Sequence, residues 1–204
     1  IYAMNKIFVL LLVFTLGFSA NGQVAIPGTD LSIKMVKARK IGVLSVQFGG
    51  TYLINSGKDN KRVQIRLKVR SENGEETLFD PNKLSLVSHE YKARFSVSEV
   101  YFATFFRSKG FQMLTTNNTE KPIFAKYDPS VPNTFNDFSV TGFKDCPIDL
   151  NFGTNRKPIT HTIYFRPNTI DKNVLDVFFV VPNGLTSGEI YFGNTLISEI
   201  NIRP

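Results

Sequence analysis

The chain has 204 residues, 42% of them apolar and 20% charged, which suits one sizeable core and excludes an acidic or low-complexity tail protein. Its net charge of +7, with Lys6 counted, is a mild basic excess that favours anionic surfaces. Cys146 is the only cysteine, so an internal disulfide is excluded and packing alone must hold the core. We read the lone thiol as a buried small hydrophobe rather than a link to a second chain.

Ile1-Tyr2-Ala3 precede Met4, the expected initiator, and we read them as upstream residues outside the fold. Lys6 is followed by an apolar run from Ile7 to Phe14, extended through Leu16 to Phe18, and then by Ser19-Ala20-Asn21-Gly22-Gln23. A basic start, an apolar stretch and small residues are the order of a secretory signal peptide. The run falls short of the roughly 20 apolar residues that a spanning helix needs. Residues 1–22 are therefore expected to be leader, cleaved after Gly22 or up to three residues earlier. Residues 23–204 would be the exported, soluble chain, periplasmic or extracellular, with no membrane span. No cysteine follows the apolar run, so the lipid attachment of bacterial lipoproteins is not expected. Export also argues against a nucleic-acid partner.

Strand patterns dominate the rest. Leu31, Ile33 and Met35 alternate with Ser32 and Lys34, and Val43 to Ile54 forms a second extended run broken by Gly49-Gly50, where a bulge or bend is expected. A polar turn at residues 55–60 leads into Val63-Gln64-Ile65-Arg66-Leu67-Lys68-Val69-Arg70, a strict period-2 alternation with one face in a core and one in water. Asn73-Gly74 signals the next turn. Residues 91–165 are less regular and hold 15 of the 26 Phe and Tyr residues, which argues for a packed, decorated segment rather than disorder. Within it, Ser96 and Glu99 have capping-box spacing, and Tyr101, Phe102, Phe105 and Phe106 recur at helical intervals. One short helix over 97–109 is expected, although the aromatic content also suits a strand. Pro122, Pro129 and Pro132 place a surface loop at 121–136.

Val174 to Val181 is almost continuously apolar and reads as a central strand ending at Pro182-Asn183-Gly184. Ile190-Tyr191-Phe192 and Thr195-Leu196-Ile197 are separated by Gly193-Asn194, which predicts a final hairpin with a II′ turn.

The carboxyl-terminal pattern of Val181-Pro182, a polar turn and Gly188-Glu189-Ile190-Tyr191-Phe192 resembles an uncharacterised bacterial family of exported immunoglobulin-like sandwich domains, common in small lipoproteins. Asn73-Gly74, Phe79-Asp80-Pro81 and Leu84 to Val87 are similar to its second half-sandwich. The likeness covers residues 31–90 and 160–202, and departs from the family in lacking the lipid-bearing cysteine and in its longer aromatic middle. It implies an antiparallel immunoglobulin-like β-sandwich and no assigned chemistry. All-β architecture, a single domain over 23–204 and a decorated segment over about 91–165 are the resulting expectations.

Catalytic groupings are sparse. His89 and His161 are the only histidines. Cys146 with His161 is the single thiol–imidazole pairing available, and His89 with Ser88 and Asp80 the only compact hydroxyl–imidazole–carboxylate set. Neither has a nucleophile context such as Gly-x-Ser-x-Gly, so an exported hydrolase using His161 or His89 is the second reading. Asp171, Asn173 and Asp176 lack the central glycine and terminal Glu of a calcium loop and are read as turn residues; no metal or cofactor is expected.

Binding is the first reading. If Val63, Ile65, Leu67 and Val69 face the core, then Arg62, Arg66, Lys68 and Arg70 line the opposite face over roughly 26 Å. Such a ladder suits an anionic envelope component or an acidic protein partner, and equally an ordinary solvated sheet face. Phe102, Phe105 and Phe106 offer a second surface for a protein partner, or a satellite core fastening the decorated segment. We expect an envelope-associated binding or structural module.

Overall fold

The structure, a computed structural model, describes residues 22–41, 47–48, 51–53, 59–103, 110–118, 125–154 and 156–202. Apart from Gly22, the leader lies outside them, as do Gly49-Gly50, most of the turn expected at 55–60, and Phe105 and Phe106. The chain is all β and sandwich-like, and none of its described helices is long and apolar enough to cross a membrane.

The strands in chain order are β1 (Val24–Ala25), β2 (Leu31–Ile41), β3 (Gln47–Phe48), β4 (Thr51–Leu53), β5 (Asn60–Ser71) and β6 (Thr77–Phe79). Next come β7 (Leu84–Ser88), β8 (Ala93–Ser96), β9 (Glu99–Phe102), β10 (Met113–Thr115), β11 (Ala125–Tyr127) and β12 (Lys144–Cys146). The last are β13 (Ile148–Asn151), β14 (Thr160–Phe165), β15 (Asn168–Ile170), β16 (Lys172–Pro182), β17 (Ser187–Phe192) and β18 (Thr195–Asn201). The first sheet has the order β1, β2, β5, β16, β9; the second β11, β10, β14, β13, β4, β3; the third β12, β8, β7, β17, β18; and β6 pairs β15 alone. All neighbours run antiparallel except β8 with β12 and β10 with β11.

Alternation places β5 as expected. Val63, Ile65, Leu67 and Val69 are at most 1% exposed on its inner face, where they meet Leu31, Ile33, Leu175, Val177, Phe179 and Val181 of the flanking strands in one hydrophobic core. The third sheet adds Leu84, Leu86, Ile190 and Phe192 to the same core. The nearly continuous apolar run of β16, broken by Asp176, reflects its central place between β5 and β9, and Phe178 and Val180 on the outer side are buried as well. At the final hairpin Gly193 has φ of +58° and Asn194 does not share the positive region, the signature of a II′ turn. A side chain at Gly193 would also strike the Phe138 ring. Gly74 turns the chain with φ of +79°, but β5 and β6 on either side are not partners.

The helix expected over 97–109 is not formed in its described part. Val97 and Ser98 carry the chain from β8 to β9, and Leu175–Phe178 of β16 supply the backbone partners that a helix would have met internally. Both the amide and the hydroxyl of Ser98 donate to the Phe178 carbonyl, at 2.8 and 3.0 Å, fixing this corner between sheets. Ser96 and Glu99, read from their spacing as a helix cap, therefore lie on two different strands.

The decorated segment is not a separate layer: it supplies β10, β11, β13 and β14 of the second sheet, where β3 and β4 join them, and also β9 of the first sheet and β8 and β12 of the third. The loop after β11 carries a 3-10 turn, Thr134–Asp137, whose start is capped by the Asn133 side chain accepting from the Phe135 amide at 3.2 Å. Its Phe135 ring lies 3.8 Å from the Arg94 guanidinium, which also donates to the Phe135 carbonyl and pairs with Asp145 at 2.7 Å. Arg94 is thereby 2% exposed without being an unpaired charge.

The same loop is pinned at Asp128. Ser130 donates to its carboxylate through hydroxyl and amide, and Arg166 pairs with it, so these hydrogen bonds hold the Asp128 carboxyl down to about 2. A depressed carboxylate stabilises the fold above its unfolded pKa of roughly 3.9 and loses that contribution as pH falls toward about 2. We expect a carbon-detected titration of Asp128 to show a midpoint near 2 in the native chain and a higher one in Ser130→Ala, still below that of an ordinary aspartate because the Arg166 contact and the backbone amide remain. An unshifted midpoint in the native chain would remove the anchor.

Candidate docking face

The outer face of the first sheet is built in cross-strand rows. Reading from one end, Ser32, Arg70 and Lys172 form the first row, then Lys34, Lys68 and Val174. Lys37, Arg66, Asp176 and Tyr101 form the third row; Arg39, Gln64, Phe178 and Glu99 the fourth; and Ile41, Arg62 and Val180 the fifth. Residues directly opposite in an antiparallel pair share a face, and like charges placed so are destabilising. Three such pairs occur here: Arg70 with Lys172, Lys34 with Lys68, and Lys37 with Arg66.

A bulge creates much of this pattern. The β2–β5 register shifts between Met35 and Lys37, leaving Val36 as the extra residue, 44% exposed. With unbroken alternation Lys34 would share its face with Val36 and Ala38. The inserted residue instead brings Lys37 and Arg39 into phase with Lys34, a re-aiming of side chains for which bulges are used.

Counter-charges are few. Arg66 makes a two-point contact with Asp176, both at 2.8 Å, and Arg70 pairs with Glu72 at 3.1 Å in an exposed contact. Arg39 donates to the Gln64 side chain at 2.6 Å. Among the described residues, Lys34, Lys37, Lys68 and Lys172 have no carboxylate within ion-pair distance.

The ladder read from β5 alone divides in two. Lys68 and Arg70 are exposed and Arg66 is half-buried, but Arg62 is 8% exposed although it lies on the same face. It is paired with Glu99, itself 5% exposed, and its guanidinium sits 4.0 Å from the Phe178 ring. Gln64, 1% exposed, completes this buried polar end. Arg62 thus belongs to the interior, because β9 and Phe178 bring a carboxylate and a ring over it. Alternation reports which face a residue is on and not whether that face is covered. Lys34, Lys37, Arg39 and Lys172 escaped the sequence reading; the Lys37-Ala38-Arg39-Lys40 run was the available signal, and the bulge hid its phase.

Phe102 is half-buried against the core and stacks on Phe111 at 5.1 Å between centroids, and Phe111 meets Phe79 edge-on at 5.9 Å. Phe79 and Phe111 belong to the main core itself, and Phe102 packs against it.

The hydrolase groupings are not assembled. His89 bonds Glu189 at 3.0 Å and lies against Phe143, while the Ser88 hydroxyl accepts from the Tyr91 amide and the Asp80 carboxylate accepts from Asn82 and Thr134. His161 packs on Phe152, and its buried Nδ1 has no hydrogen-bond partner. Cys146 is half-buried rather than fully so; its thiol points at the Lys144 carbonyl at 3.8 Å and is pushed up by burial, which disfavours the nucleophilic thiolate. It borders a cleft of about 410 Å³ where Pro147 passes the chain from β12 to β13, lined also by Asn60, Phe95, Asp149 and Val180. Asp171 accepts from the Lys172 amide at a bend, and Asn173 and Asp176 lie within β16 rather than in a turn. No group of three or more metal-ligating side chains occurs among the described residues.

No family model, curated protein or solved structure matches the chain.

Proposed function

We propose that this chain is an exported, envelope-associated binding module that docks an anionic partner on the outer face of β2, β5 and β16. The observation that carries the reading is the set of three like-charged cross-strand neighbours, with Lys34, Lys37, Lys68 and Lys172 lacking carboxylate partners among the described residues. A solvated face of no further purpose would gain stability by placing Glu or Asp opposite these lysines. Repulsion retained in the free protein is relieved when an anion binds, so part of the binding energy is already stored in the sheet. The signal-like leader supports export, and the position of the lysines on a rigid central sheet rather than a loop supports a surface for docking.

The test is retention on immobilised polyphosphate and polyglutamate against a neutral resin. Retention at low salt and release as the ionic strength rises toward 1 M are expected, because the Debye length then shrinks to about 3 Å. Lys34→Glu with Lys68→Glu, a half-buried and an exposed side chain opposite one another, should lower affinity roughly tenfold or more with little change in the thermal midpoint. Equal retention of this variant, or retention insensitive to salt, would remove the face from the account.

A further inference from the structure

We infer that the anionic partner is an extended acidic peptide segment that adds as a strand to the open edge of β2, an inference that rests on the docking reading above and names its partner. The first sheet ends unevenly. β1 covers β2 only at Ser32 and Ile33, and no described strand pairs with β2 from Lys34 to Ile41 on the side away from β5. Beyond the Val36 bulge the register with β5 is regular from Lys37 to Ile41, and with no described strand hydrogen-bonded to its other edge this stretch of main chain can receive another strand.

The side chains of that stretch say what the strand must carry. Lys37 and Arg39 are exposed on the outer face, two residues apart, and each begins a cross-strand row. An added strand with carboxylates at alternate positions would extend those rows, one acid opposite Lys37 and its neighbour opposite Arg39, and would separate the repulsion of Lys37 and Arg66. Lys34, in phase through the bulge, and Lys40, exposed on the other face, add charge at either side. An uncharged strand would find the same hydrogen bonds but would leave the repulsion among these cations uncompensated. Edge lysines discourage pairing with a neutral strand and select an acidic one. A phosphate polymer or an anionic lipid surface has no amides to offer the edge, and so would use the charges alone.

The experiment uses a fluorescent decapeptide of alternating Thr and Glu. It is compared with a block peptide of the same composition, with the alternating peptide N-methylated on the amides that would face β2, and with polyphosphate. We expect the alternating peptide to bind at least tenfold more tightly than the N-methylated one, and several-fold more tightly than the block peptide. We also expect amides in residues 37–41 to gain hydrogen-exchange protection when it is added. Lys37→Glu, which leaves the Arg39–Gln64 contact in place, should weaken binding at least tenfold without lowering the thermal midpoint. Equal affinity for the N-methylated peptide, or no gain of protection in β2, overturns strand addition; if polyphosphate still binds, docking on the face stands. Failure of both peptide and polyphosphate removes both.

Discussion

Glu99→Ala is expected to destabilise the protein by about 3–5 kcal/mol, because it strands the Arg62 guanidinium without its counter-ion in the interior. For a domain of this size that corresponds to a fall of roughly 6–20 °C in the thermal midpoint. The magnitude follows from burial on both sides, 10% and 6% side-chain exposure. The Tyr101 hydroxyl donates to the same carboxylate at 2.8 Å and would lose its partner too. The pair is not well satisfied: Arg62 Nε, Glu99 Oε1 and Gln64 Nε2 are buried without hydrogen-bond partners. Replacing both ions by Arg62→Met and Glu99→Leu should therefore cost little or even stabilise. Burial pushes the Glu99 carboxyl above the ordinary range, against the pull of Arg62 and Tyr101. A carboxyl raised in the folded state contributes stability that is complete below the unfolded pKa, roughly 4.3, and is lost as pH rises through the folded one. Denaturant titrations of the native chain and Glu99→Gln across that interval should differ in slope with pH. A cost below about 1 kcal/mol for Glu99→Ala would show that water reaches the pair.

Phe79→Ala should cost a similar 3–5 kcal/mol, through lost transfer energy and the cavity left behind. The ring is fully buried, stacks on Phe192 at 5.5 Å and meets Phe111 edge-on at 5.9 Å. Phe192 belongs to β17 of the third sheet, whereas Phe111 precedes β10 in the aromatic segment and stacks on Phe102. Phe79 thus joins the decorated segment to the sandwich. Unfolding should remain a single transition in the native chain, and Phe79→Ala should lower protection of β9 and β10 together with that of β17. Phe79→Leu, which refills most of the space, should cost less than half as much. Loss confined to the aromatic segment, with β17 unaffected, would mean that the two parts pack independently.

Several elements could be read directly from local pattern. The alternation of residues 63–70 requires an amphipathic strand, and β5 buries the four apolar residues it marks. The nearly continuous run at 174–181 marks a central strand, and β16 lies between β5 and β9. Gly193-Asn194 dictates its turn because only glycine enters the positive φ region without strain. Where periodicity was weak, local reading chose wrongly: Ser96 to Phe102 has helical spacing and strand partners, and the long-range hydrogen bonds of β16 decided it.

The sequence by itself determined an all-β chain with one strongly amphipathic strand, a buried central strand, a terminal hairpin and a surplus of cations, because period-2 alternation and turn chemistry act between near neighbours. Tertiary structure alone decided which cations face water. Arg62 and Lys68 look alike in the strand, but Glu99 and Phe178, 37 and more positions away, enclose the first and leave the second exposed. The same holds for Lys34, Lys37 and Arg39, which reach the face of β5 through a register and a one-residue bulge. Register is a property of two strands, set where one face of each is buried against the other, and neither strand encodes it alone.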